Sequence, residues 1–118
     1  MLSLKDMVPD DLEILMEKFP MDLNISLELP SYLYVFRENE KILGYSRITI
    51  GDKVYLEDFQ ILSDKKEYAL FFLKSTGFKV HQLGHGVFYD RKGCTEDFYP
   101  GKKIILDELF QGDCRASH

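Results

Sequence analysis

Three strand-like runs, Tyr32 to Arg37, Lys41 to Ile50 and Lys53 to Leu62, follow one another with only Glu38-Asn39-Glu40 and Gly51-Asp52 between them. Each run is rich in β-branched and aromatic residues, which pack well on a pleated surface. Separators this short cannot hold a crossover helix, and their Asn, Asp and Gly tolerate turn geometry. Consecutive strands must therefore fold back on one another as an antiparallel meander.

The flanking segments supply helices. From Pro9 to Phe19 the apolar residues Leu12, Leu15, Met16 and Phe19 recur at i, i+3, i+4 and i+7, which defines one face of an amphipathic helix. Asp10, Asp11 and Glu13 lie near the positive end of its dipole, Lys18 lies at the other end, and Pro20 stops it. Met21 to Ser31 alternates weakly and reads equally as a short strand or an irregular helix. Asp64 precedes Glu67 by three residues, an Asp version of the capping box, and predicts a helix through Ser75 that stops at Gly77. Its run Tyr68 to Leu73 leaves almost no polar face, so it should be covered on most sides. Phe78 to Leu83 and Val87 to Tyr89 read as short strands and Lys102 to Leu109 as a stronger one. This order predicts an α+β fold around one mainly antiparallel sheet, with residues 1–110 as a single domain and 111–118 as a polar, frayed tail.

Composition narrows the function classes. The chain has 118 residues, 45% of them hydrophobic and 30% charged, as in an ordinary globular domain. Twenty acids against fifteen Lys and Arg give a net charge of -5, so no long-range field draws the chain to phosphate backbones, and nucleic acid is not an expected partner. No apolar run approaches the roughly 20 residues of a membrane-spanning helix. The opening residues lack a basic start, an apolar core and a small-residue cleavage site, so a cytoplasmic protein is expected. Cys94 and Cys114 are too few for a disulfide framework and read as thiols.

Within this order, Glu40-Lys41-Ile42-Leu43-Gly44-Tyr45 looks like the second hairpin of the GNAT (N-acetyltransferase) superfamily. Ala69-x-x-Phe72-Leu73-x-x-x-Gly77-Phe78 is similar to that family's late helix and the strand after it. The resemblance covers roughly residues 1 to 80, with Ile104 to Leu109 standing for the family's last strand. It implies a GNAT-like sheet with an N-terminal helix and, were the chain active, acyl transfer from acetyl-CoA to an amine.

Two departures weigh against that activity. The family's phosphate-cradling loop, Gln/Arg-x-x-Gly-x-Gly/Ala, with its helix and strand, should lie between the third strand of the meander and the Ala69 helix, where only Ser63 to Tyr68 intervene. Such a loop works because backbone N–H groups at a helix N-terminus point at the pyrophosphate, with glycines allowing close approach. The tyrosine that often serves the family as general acid falls on Leu73, which has no proton to give. His81-Gln82-Leu83-Gly84-His85-Gly86 fits the loop spacing superficially, which makes Gly84 and Gly86 candidate cofactor-binding positions or, more simply, a turn between strands.

Other candidates come from residue chemistry. Glu57 and Asp58 lie in mid-strand, where alternation sends them to opposite faces and groups Glu57 with Tyr55, Phe59 and Ile61. Either could be a general base toward an amine, as the resemblance implies, or a structural carboxylate. His81, His85 and Cys94 lack a four-ligand pattern, so no metal is expected. Arg91 and Lys92 could lower the Cys94 pKa and favour a nucleophile, against a default of an ordinary thiol. The long charged loop Asp90 to Lys103 offers Arg91, Phe98 and Tyr99 as a binding surface, unless the two rings anchor the loop to the core. The combined expectation is a reduced GNAT-like domain acting as a non-catalytic binding or regulatory module with no cofactor and a protein or small-molecule partner. Self-association into a homo-oligomer is expected through the apolar Tyr68 to Leu73 helix. The alternatives are a divergent acetyl-CoA-dependent acyltransferase and an unrelated small α+β ligand-binding domain.

Overall fold

The computed structural model describes residues 1–20 and 30–116; the ambiguous stretch after Pro20 lies, up to residue 29, outside the described residues. The meander is present as β2 (Ser31–Glu38), β3 (Lys41–Ile50) and β4 (Val54–Ile61). A strand not anticipated from the sequence, β1 (Leu2–Asp6), precedes helix α1 (Pro9–Lys18) and pairs antiparallel with β2. After β4 come a 3-10 turn (Ser63–Tyr68), helix α2 (Ala69–Gln82), β5 (Val87–Asp90), β6 (Lys103–Ile105) and helix α3 (Leu106–Ala116). The sheet is six-stranded in the order β1-β2-β3-β4-β5-β6, and only β4 and β5 run parallel, joined by the α2 crossover. The protein is thus α+β with a mainly antiparallel sheet and a helix after the meander, as expected.

Helices cover both faces of the sheet. On one side α1 places Leu15 and Phe19 over Val35, Ile42 and Tyr45, with the Phe19 and Tyr45 rings edge-on at 5.9 Å. Met16, predicted to share that stripe, instead faces solvent. The Val8 N–H donates to the Asp11 carboxylate at 3.2 Å, which closes the first turn of α1, and Asp11 also pairs with Arg37 of β2. On the other side α2 and α3 pack against Phe36, Ile48, Leu56, Phe88 and Ile104. Phe36 is stacked on Phe72 at 4.5 Å and nearly parallel to it.

Three sequence assignments change in this layer. The Asp64 capping box does not form: Ser63–Tyr68 is a 3-10 turn with Lys65 off helical geometry, and α2 starts at Ala69. Gly77 does not end the helix, and Phe78 to Leu83 is not a strand. The buried stripe Ala69, Phe72, Leu73, Thr76, Gly77 and Val80 continues at helical spacing to the end of α2. A Cβ at Gly77 would lie 3.0 Å from the Cδ2 atoms of Leu106 and Leu109, so this glycine lets α3 approach closely. The helix closes instead at Gly84, whose φ is +92° and whose N–H donates to the His81 carbonyl. The predicted strand Lys102 to Leu109 yields only β6 and then turns helical, because Leu106 and Leu109 are needed against α2. In the meander, Gly44 faces the main chain of β4, where a Cβ would sit 2.0 Å from the Gln60 carbonyl oxygen. Among the described residues no helix is long and apolar enough to cross a membrane.

Candidate functional site

The carboxylates Glu57 and Asp58 sit at an irregularity in the β3–β4 ladder. Arg47 pairs with Asp58 while the next residue, Ile48, pairs with Leu56, so Glu57 is the extra residue of a β-bulge. The bulge overturns the simple alternation. Phe59 lies on the α2 side with Leu56, and both acids lie on the other face with Tyr55. Regular alternation along β3 puts Arg47 and Thr49 on that same face, opposite Ser46, whose hydroxyl is 2.9 Å from that of Thr76 in α2.

The two acids are tied into a charged cluster. Arg47 Nε donates to Asp58 Oδ2 at 2.7 Å, and the Thr49 hydroxyl donates to Glu57 Oε1 at 3.1 Å. Arg91 Nε stands 3.6 Å from Glu57 Oε1, and Lys92 Nζ stands 3.9 Å from Asp58 Oδ1. Arg47 and Glu57 are almost fully buried, whereas the Arg91 and Lys92 side chains are 51% and 52% exposed. Arg91 also lies over the Tyr55 ring at 3.7 Å, and Lys53 lies 5.0 Å from the Tyr89 centroid. The outcome is an anion pair neutralised from beneath by Arg47 and capped by two half-exposed cations, of which Arg91 lies over Tyr55. Glu57 Oε1 already receives Thr49 and faces Arg91, so taking a proton from an amine there would require displacing existing partners.

Beside this cluster the parallel strands part. β5 pairs with β4 only at Tyr55 and Leu56, and the chain beyond Asp90 turns away. Asp90, fully buried, accepts from the Cys94 and Thr95 amides and from the Thr95 hydroxyl, each at 2.8 Å, and so fixes that turn. The divergence leaves a cavity of about 310 Å3 lined by Phe59, Gln60, Ile61, Lys66, Ala69, Cys94, Asp97 and Phe98. Phe98 and Tyr99 are half-buried against the core, Phe98 5.5 Å from Phe59, so the rings anchor the loop while Arg91 alone of the three is exposed.

The surroundings of Cys94 favour the ordinary thiol over the nucleophile. Burial first, then the Asp90 and Asp58 carboxylates, push it up to about 11, and Lys92 offsets this only in part. Gly84 and Gly86 lie at the opposite end of β5 from Arg91 and do not join the cluster. The Gly84 and His85 amides donate to the His81 and Val80 carbonyls of α2, so they close a helix rather than open toward a ligand. No group of three or more potential metal-binding side chains comes together among the described residues. Sequence reasoning passed over Arg47, Thr49 and Asp90; polar residues inside otherwise apolar strands were the available signal.

No protein-family model, curated protein or solved structure matches the chain.

Proposed function

We propose that the protein is a non-catalytic binding or regulatory module on a reduced GNAT-like frame, with Arg91 over Tyr55 and the neighbouring Lys92 as its recognition face. One observation carries the reading: the start of α2, where a phosphate would have to be gripped, is wound into a 3-10 turn. The Lys65 N–H donates to the Leu62 carbonyl at 2.9 Å, and the Ala69 N–H to that of Lys66. Donors spent this way are not aimed outward, and no glycine lies between Leu62 and Ala69 to let a pyrophosphate approach. A half-exposed guanidinium on an aromatic ring, with Lys92 beside it, suits recognition of an acidic group on a protein or small molecule.

A divergent acyltransferase is the second reading, favoured by the parting of β4 and β5 around the 310 Å3 cavity, which leaves the backbone of Phe59 to Ile61 beside an open slot. Thermal unfolding with acetyl-CoA separates the two. The module should show an unchanged melting temperature at millimolar acetyl-CoA. Binding at 1,000 times the dissociation constant would add about 4 kcal/mol, and a clear upward shift would replace the first reading with the second.

A further inference from the structure

The outer edge of β1 and the groove beneath it have the chemistry of a self-pairing surface. The Met7 N–H donates to the Leu33 carbonyl and the Asn39 N–H to that of Met1, so odd-numbered residues of this strand face β2. Leu2, Leu4 and Asp6 therefore turn their N–H and C=O groups outward, and no further strand pairs there among the described residues. Leu2–Asp6 contains neither proline nor bulge to block further pairing, and alternation puts its lysine, Lys5, on the face away from the groove. Under this edge runs an apolar groove of about 540 Å3, formed by Leu4, Phe71, Phe78 and Phe110 and rimmed by Lys74 and Lys79. Phe71 and Phe78 are 44% and 52% exposed, large for rings of this size.

We infer that two copies of this chain associate through antiparallel pairing of β1 with β1 about a two-fold axis at Leu4, with Phe71 and Phe78 covering the incoming strand. The register follows from the sequence of the strand. An axis at Leu4 sets Leu4 against Leu4, Leu2 against Asp6 and Ser3 against Lys5, so every outward amide and carbonyl of Leu2, Leu4 and Asp6 meets a partner and no like charges oppose. An axis at Asp6 would set carboxylate against carboxylate, and one at Leu2 would leave Leu4 and Asp6 unpaired. On the face that meets the groove, the incoming strand presents Leu2, Leu4 and one acid, Asp6, beside a rim that carries Lys79. Apolar matches apolar there, and negative matches positive. The inference does not rest on the functional reading above, since it uses neither the Arg91 cluster nor the cavity.

Sedimentation velocity of the full chain under reducing conditions tests it. The wild type should be a dimer, and Phe78→Glu should weaken it with an unchanged far-UV spectrum. Ser3→Glu, which would face Lys5 of the second copy, should tighten the dimer by about two- to tenfold, and Ser3→Lys should loosen it by a similar factor. A chain that stays monomeric up to its solubility limit overturns the inference. So does a dimer indifferent to the sign of charge at position 3, or one untouched by Phe78→Glu.

Discussion

Cys94 shows how far a side chain's chemistry depends on what folds around it. In sequence it neighbours Arg91 and Lys92, yet in space it is half-buried, its Sγ 3.9 Å from the Glu57 carbonyl and its amide bonded to Asp90. Alkylation by iodoacetamide, followed in a Cys114→Ser background, should be slow at neutral pH and rise only as the solution approaches a pH of about 11. Fast modification at pH 7 would mean that burial and the Asp90 and Asp58 carboxylates do not hold the thiol above its ordinary range. Tyr34 and Tyr45 belong to the same case, each pushed by burial from 10.0 to about 12, with Asp6 adding to Tyr34 and Asp58 to Tyr45. Between the ordinary and folded values the native state keeps protons that the unfolded chain has lost. Stability therefore falls as pH rises from about 9 through about 12, and these groups add no pH dependence below that window. Glu57 and Asp58 stood out in the sequence as polar residues inside an apolar strand, but their common face did not. Alternation assumes an unbroken ladder, and the extra residue at Glu57 breaks it.

At the scale of elements, the segment after β5 depends on one buried carboxylate. Replacing Asp90 with alanine strands the Cys94 and Thr95 amides and the Thr95 hydroxyl in a site where water does not reach them easily. Each such donor costs about 1–3 kcal/mol, so Asp90→Ala should lower stability by at least about 2 kcal/mol and speed tryptic cleavage at Arg91 and Lys92. Unchanged nicking would mean that the turn is held by the packing of Phe98 and Tyr99 alone. Helix α2 teaches a related lesson about reading elements. Its stripe from Ala69 to Val80 was present in the sequence at the right spacing, but Gly77 read as a stop because glycine commonly ends helices. The competing demand was steric: Leu106 and Leu109 of α3 occupy the space a side chain would need. β1 went unread for the opposite reason, since five residues with a weak Leu-Ser-Leu alternation carry little signal until β2 is there to pair with them.

At the scale of the molecule, two apolar layers share one sheet, and residues adjacent in β2 serve different layers. Val35 packs under α1, and Phe36 packs under α2 against Phe59 and Phe72. Phe36→Ala should remove about 3–5 kcal/mol, much of the roughly 5–15 kcal/mol that a domain of this size possesses, and urea unfolding should show a correspondingly lower midpoint. A loss below about 1 kcal/mol would mean that the stacked rings do not form the centre of the core. The amino-acid sequence by itself determined the meander, helix α1 and the α+β class, because hairpin length, side-chain period and turn chemistry act between near neighbours. Only the tertiary structure decided where α2 ends, how β6 passes into α3, that Glu57 and Asp58 share a face with Arg91, and that Cys94 is half-buried beside Asp90. Each of these depends on contacts between segments far apart in the chain, where close approach and burial outweigh local preference.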